Sequence, residues 1–154
     1  MWSNARSNRP FFLTICASIV VLATVAGLLA WYSLTRPPTP PQATCGAVVF
    51  LQGRPQQPVS KDAPEVERCF YRGYQQCAAM TMEVDQHGID TGSTTVYWPH
   101  KQENTCQILA QSSTFGLVSS ANSAEIQTCL RVIPKNSGLL FQGCSSSGDV
   151  FIVG

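Results

Sequence analysis

Charged residues are scarce in this chain of 154 residues, because Asp, Glu, Lys and Arg together make up only 12% of it. The formal net charge is +1. There is thus no excess of positive charge to attract nucleic acid, and we expect no nucleic-acid partner. The scarcity has one main source, since no Asp, Glu, Lys or Arg occurs between Arg9 and Arg36. The length predicts one globular domain with accessory segments.

Sequence motifs for metal binding and catalysis are also missing. No Cys-x-x-Cys pair occurs, and Cys69 and Cys77, the two nearest cysteines, are too far apart for a zinc knuckle. His87 and His100 lie in turn-like stretches without a second ligand at helical spacing, so we interpret both as bystanders. The chain has no Gly-x-Ser-x-Gly and no phosphate-binding loop. We therefore expect no metal, no cofactor and no enzymatic activity.

The uncharged stretch at residues 11–34 is long and apolar. A helix needs roughly 20 apolar residues to cross a membrane, and this stretch exceeds that number. Trp31 and Tyr32 lie near its end, where amphipathic aromatic side chains favour the headgroup layer. Two arginines precede it and one follows it, which predicts a cytoplasmic segment 1–10 and a single-pass signal anchor in the cell membrane. A cleaved signal peptide is the alternative.

A proline-rich linker at 35–43 then leads to a domain at 44–154, which we place outside the cytoplasm. An even number of cysteines in a domain outside a membrane predicts disulfides, here three of them. The candidate cysteines are Cys45, Cys69, Cys77, Cys106, Cys129 and Cys144.

The pairing of these cysteines is open from sequence alone. If the strands that flank residues 136–137 form a hairpin, Cys129 lies opposite Cys144 at a distance that a disulfide accepts. That pair therefore ranks first, although either cysteine bonded to the helix is a competing arrangement. The remaining preferences are Cys45–Cys69 and Cys77–Cys106.

One helix is predicted after residue 61. Asp62 and Glu65 fit a capping box, and Pro64 suits the first turn. The side of this helix that we expect to pack on the sheet carries Val66, Cys69, Phe70, Gly73 and Cys77.

The rest of the domain alternates apolar and polar residues with the period of half-buried strands. The predicted strands cover residues 80–85, 94–98, 106–111, 126–133, 138–143 and 150–153. The fold class is therefore α+β, with one helix packed on an antiparallel sheet of cystatin-like or similar build and up to three disulfides.

The segment Ile89-Asp90-Thr91-Gly92-Ser93-Thr94 resembles the active-site loop of aspartic proteases. That resemblance implies a homodimer in which each chain supplies Asp90 and two carboxylates share one proton. Only one Asp-Thr-Gly is present, however, and a polar stretch precedes it instead of a buried strand. Asp-Thr-Gly is also ordinary turn chemistry. We favour the turn and keep catalysis by Asp90 as an alternative.

A second resemblance rests on three segments: Cys69 to Ala79, Gly88 to Thr91, and Cys144 to Val150. Together they are similar to a group of small uncharacterised bacterial envelope proteins with a Cys-aromatic helix, a Gly-Val-Asp-Thr turn and a Cys-x-x-x-Gly-Asp ending. The resemblance implies a secreted or membrane-tethered bacterial domain and supplies no activity.

The leading functional hypothesis is a non-catalytic binding or structural module attached to the membrane through 11–34, with an unknown protein or small ligand as partner. The dimeric aspartic protease is one alternative. A cystatin-like inhibitor is the other, and it needs an exposed apolar loop, for which the segment from Gly116 to Val118 is the candidate.

Overall fold

A computed structural model of the chain describes residues 22–32, 37–51, 58–116 and 125–153. The chain divides into two compact units, and the boundary lies between Thr39 and Pro40. The described residues of the second unit form one helix, α1, and eight strands. In chain order these are β1 (Thr44–Leu51), α1 (Ala63–Gln75), β2 (Thr81–His87), β3 (Thr91–Gln102), β4 (Thr105–Gly116), β5 (Ile126–Cys129), β6 (Arg131–Lys135), β7 (Gly138–Cys144) and β8 (Gly148–Val153).

The described residues of the first unit do not form the predicted transmembrane helix. Of the predicted span 11–34, residues 11–21 and 33–34 lie outside the described residues, and residues 22–32 form a helix. No helix in the described part of the chain is long and apolar enough to cross a membrane. This component of the predicted fold class is therefore wrong.

The second unit is built from two sheets instead of the single antiparallel sheet that the sequence predicted. The larger sheet has the strand order β1-β2-β3-β4-β5. Its first pair, β1 with β2, is parallel, and the others are antiparallel. Strand β1 was not predicted, because Thr44–Leu51 lacks a regular apolar–polar alternation. Since α1 lies between β1 and β2 in the chain, it returns β2 beside β1 in the same direction.

The second sheet arises because the strand predicted at 126–133 is broken at Leu130. Leu130 and Arg131 are both exposed, whereas Cys129 and Val132 are buried, so the period-two alternation fails at this point. Strand β5 therefore pairs with β4, and β6 pairs with β7 in a three-stranded sheet of order β6-β7-β8. The predicted antiparallel hairpin about residues 136 and 137 is present as β6 and β7.

The hairpin of β3 and β4 is longer than predicted, since its register runs from Thr91 opposite Gly116 to Gln102 opposite Thr105. It includes Pro99, which lies between the strands predicted at 94–98 and 106–111. The pairing of β2 with β3 ends at Tyr97, so the missing N–H of Pro99 removes no hydrogen bond between these two strands.

Helix α1 begins where the sequence predicted, but not with the predicted capping box. The Asp62 side chain makes no capping hydrogen bond. The main-chain N–H groups of Glu65 and Val66 instead donate to the Asp62 main-chain oxygen at 2.9 and 3.0 Å. Pro64 lies in the first turn, where its missing N–H costs no helical hydrogen bond. The buried residues of α1 are Ala63, Val66, Glu67, Phe70 and Gly73.

One hydrophobic core is shared by α1 and both sheets. Phe141 of β7 lies at its centre with no exposed surface. Its ring centroid lies 6.0 Å from that of Phe70 on α1 and 4.5 Å from that of Tyr97 on β3. These aromatic contacts join the three parts of the domain and fix the position of α1 against the β6–β7 hairpin.

Three disulfides cross-link these elements, and the pairs are the ones that the sequence analysis ranked highest. They are Cys45–Cys69, Cys77–Cys106 and Cys129–Cys144. The first two connect the helical segment to the larger sheet, and the third connects the two sheets. Such cross-links form and persist in oxidising compartments, so this domain belongs to an environment outside the cytoplasm.

Candidate functional site

An acidic residue occupies a buried position of α1. Glu67 is only 7% exposed, between the buried side chains of Val66 and Phe70. The sequence analysis assigned Glu67 to neither side of the helix. A signal was present, because Glu67 is four residues after Ala63 and three before Phe70, which is the spacing of the buried side. Buried carboxyl groups without a charge partner are rare and therefore point to a site.

Glu67 lines a cleft between α1 and the end of the β6–β7 hairpin, with a volume of about 280 Å³. Sites for drug-sized ligands begin at about 300 Å³, so this slightly smaller cleft has room only for a ligand of fewer atoms. Gly138 brings the hairpin close to β8, since a Cβ there would lie 1.9 Å from the Ile152 carbonyl oxygen. The lining residues are Glu67, Arg68, Tyr71, Arg72, Gln75, Pro134, Lys135, Gly138 and Leu139.

Three cationic side chains line the same cleft. Arg68 and Arg72 come from α1, and Lys135 comes from the end of β6. The Arg68 Nε donates a hydrogen bond to the Pro64 carbonyl oxygen at 3.1 Å, which holds its guanidinium along the helix. All three cations are exposed at their own positions, so they are hydrated and accessible to a ligand that enters the cleft.

The Glu67 carboxyl group has an incomplete hydrogen-bond set. Its Oε1 atom is buried and has no hydrogen-bond partner in the described structure. Burial disfavours the charged form and raises the pKa of Glu67 from 4.5 to about 7. The group is therefore a neutral hydrogen-bond donor in weakly acidic solution and an anion in alkaline solution. An unsatisfied buried polar atom is costly, and the cost is smaller for the neutral acid than for the carboxylate.

Asp90, the alternative catalytic residue, lies elsewhere in the domain. It is exposed in the turn between β2 and β3, and the Gly88 N–H donates to the Thr91 carbonyl oxygen across that turn. Its neighbour Ile89 is fully exposed. The structure thus describes a hairpin turn at this motif, whereas the aspartic-protease chemistry requires two carboxylates held close enough to share a proton.

Replacing Asp90 with Asn is expected to change the free energy of unfolding by less than about 0.5 kcal/mol, because exposed substitutions in such turns rarely have larger effects. Urea denaturation of the full chain measures this. A second assay, cleavage of casein at acid pH with and without pepstatin, tests the protease directly. Pepstatin-sensitive cleavage that disappears in Asp90→Asn would establish the catalytic alternative.

The other residues singled out from the sequence are dispersed. His87 is exposed at the end of β2 with its ring 5.6 Å from that of Phe115, and His100 lies on β3. Gly116 is the last residue of β4, and residues 117–118 of the candidate inhibitory loop lie outside the described residues. Among the residues that the structure describes, no group of three His, Cys, Asp or Glu side chains is placed to hold a metal ion.

Comparison with known proteins does not assign a function to this cleft. The chain matches no protein family, no curated protein and no solved structure in comparisons of sequence and fold.

Proposed function

We propose that residues 44–154 form a non-catalytic binding module that works outside the cytoplasm, and that its binding site is the cleft at Glu67. The disulfides support the compartment, because three such bonds in one small domain form and persist only in an oxidising environment. The resemblance to bacterial envelope proteins agrees with that location. The core and the cross-links keep α1 and the β6–β7 hairpin in place, so the cleft between them is preformed.

The observation that carries this proposal is the buried Glu67 Oε1 atom without a hydrogen-bond partner, in a residue that lines a cleft. A purely structural residue at this position of α1 would be apolar, as Val66 and Phe70 are. A buried acid at this position lowers the stability of the domain. Proteins keep destabilising residues mainly at functional sites. Convergent polar groups in an otherwise apolar depression are typical of a ligand-binding site.

The test is a nuclear magnetic resonance titration of the ¹⁵N-labelled full chain. The probes are separate panels of amino acids, sugars, small organic acids, organic phosphates and polyamines. We expect at least one panel to shift the amide signals of residues that line the cleft, among them Arg72, Lys135 and Gly138. Shifts that occur only outside the cleft, or none with any panel, would contradict the proposal.

Two substitutions at the C-terminal end of α1 make a matched pair for this titration. Gln75 lines the cleft, whereas Gln76 follows it and does not. Both are exposed, so a tryptophan at either position leaves the core intact. Gln75→Trp is expected to fill the cleft and abolish the shifts, and Gln76→Trp is expected to leave them unchanged.

A second candidate function is protein binding at one end of the larger sheet. Leu51, Ile89 and Phe115 lie there with exposed fractions of 43%, 100% and 46%. Leu51 pairs with His87, His87 pairs with Gly92, and Gly92 pairs with Phe115. These four positions on neighbouring strands therefore form one row across the sheet. Clustered exposed apolar side chains mark interaction surfaces. Amide shifts in this row on addition of a protein partner, with none at the cleft, would favour this candidate.

A further inference from the structure

We infer that the Glu67 cleft takes a small ligand that carries an oxyanion, with Arg72 and Lys135 binding its negative charge while Glu67 donates a hydrogen bond to it. This inference rests on the proposed function and names its ligand class.

The charges in the cleft favour an anionic ligand. Arg68, Arg72 and Lys135 supply three positive charges, and Glu67 supplies at most one negative charge. The cleft therefore stays cationic whether or not Glu67 is ionised, and it repels a cationic ligand in both states. Guanidinium groups bind carboxylate and phosphate groups with two parallel hydrogen bonds, and an ammonium group adds a point charge.

The two protonation states of the Glu67 carboxyl group interact with such a ligand in opposite ways. As a neutral acid it donates an O–H hydrogen bond to an oxyanion, and as a carboxylate it only accepts and repels the same ligand. The other titratable and charged groups that line the cleft are Arg68, Tyr71 and Arg72 from α1 and Lys135 from β6. None of these can supply a second carboxylate, so protonation of Glu67 and anion binding favour each other.

The size of the cleft restricts the ligand to a small molecule. A volume of about 280 Å³ is far below that needed for a folded partner or a polymer. Pro134 and Leu139 add apolar surface beside the polar groups, which fits an organic acid with a short carbon skeleton.

The experiment measures oxalate binding to the full chain by calorimetry at about pH 6 and about pH 8, a range in which oxalate itself does not titrate. Because Glu67 is largely protonated at the lower pH and largely ionised at the higher one, we expect the dissociation constant to rise about tenfold between them. Sulfate, which is also doubly charged throughout, shows whether any oxyanion suffices. Putrescine is the cationic probe.

Three variants separate the contributions. The amide of Glu67→Gln donates at every pH, so this variant is expected to bind oxalate at about pH 8 as tightly as the unmodified chain does at about pH 6. Arg72→Gln and Lys135→Gln are each expected to weaken binding about tenfold at both values. Because these two residues are exposed, both variants retain the fold. Lys101→Gln, an exposed change outside the cleft, is the control.

The outcomes distinguish the inference from the proposed function. Tighter binding of putrescine than of oxalate at the cleft, or tighter oxalate binding at the higher pH, overturns the oxyanion assignment and leaves the binding site standing. Failure of every probe panel to shift the cleft amides overturns both. Oxalate or sulfate binding that is unchanged in Arg72→Gln and Lys135→Gln places the anion elsewhere and also overturns the inference.

Discussion

Replacing Phe141 with Ala is expected to lower the free energy of unfolding by about 3–5 kcal/mol, the usual cost of truncating a fully buried phenylalanine. Phe141 has no exposed surface, and its ring contacts those of Phe70 and Tyr97. Removing the ring therefore leaves a cavity where α1 and the two sheets meet. The disulfides cannot compensate, because they act mainly on the unfolded chain and do not fill the cavity.

The matched control is Phe151→Ala in the neighbouring strand. Phe151 pairs with Leu140 in the same sheet, but it is 41% exposed. We expect the control to cost less than about half as much as Phe141→Ala, since only its buried part loses contacts. Urea denaturation under non-reducing conditions measures both. Equal losses in the two variants would show that the core is not centred on Phe141.

The unmodified domain is expected to lose stability as the solution changes from acid to alkaline. Replacing Glu67 with Gln is expected to remove this loss. The pKa of Glu67 is raised from 4.5 to about 7 in the folded chain, so the folded state binds more protons than the unfolded state between these values. Stability therefore falls as the pH rises through this window. The full difference is about 3 kcal/mol, at about 1.4 kcal/mol per pH unit of pKa shift. Gln cannot ionise, so the variant lacks this loss.

The measurement is the free energy of unfolding of both chains at about pH 4.5 and about pH 8. The free-energy cost of burying the Gln amide does not depend on pH. It therefore cancels when the same variant is compared at the two pH values. Glu103→Gln, in the exposed turn between β3 and β4, is the control and is expected to follow the unmodified chain. A pH dependence that persists unchanged in Glu67→Gln would mean that other groups cause it and that the pKa of Glu67 is not raised in the folded state.

The candidate site itself was only partly accessible from the sequence. The helix that carries Glu67 was predicted, and so was the hairpin that forms the opposite wall. What the sequence did not show is that these two elements face each other, because residues 67 and 138 are far apart in the chain and periodicity describes each element alone. The motif that did attract attention, at Asp90, lies in an exposed turn instead.

The sequence by itself determined the features that depend on local spacing. The cysteine spacing about the β6–β7 turn placed Cys129 opposite Cys144, and the buried period of α1 located Val66 and Phe70. Only the tertiary structure decided which strand lies beside which. It made β1 and β2 parallel, divided one strand at Leu130 between two sheets, and enclosed Glu67. The reason is that the energy of these arrangements comes from contacts between distant segments, which local propensity and periodicity do not contain.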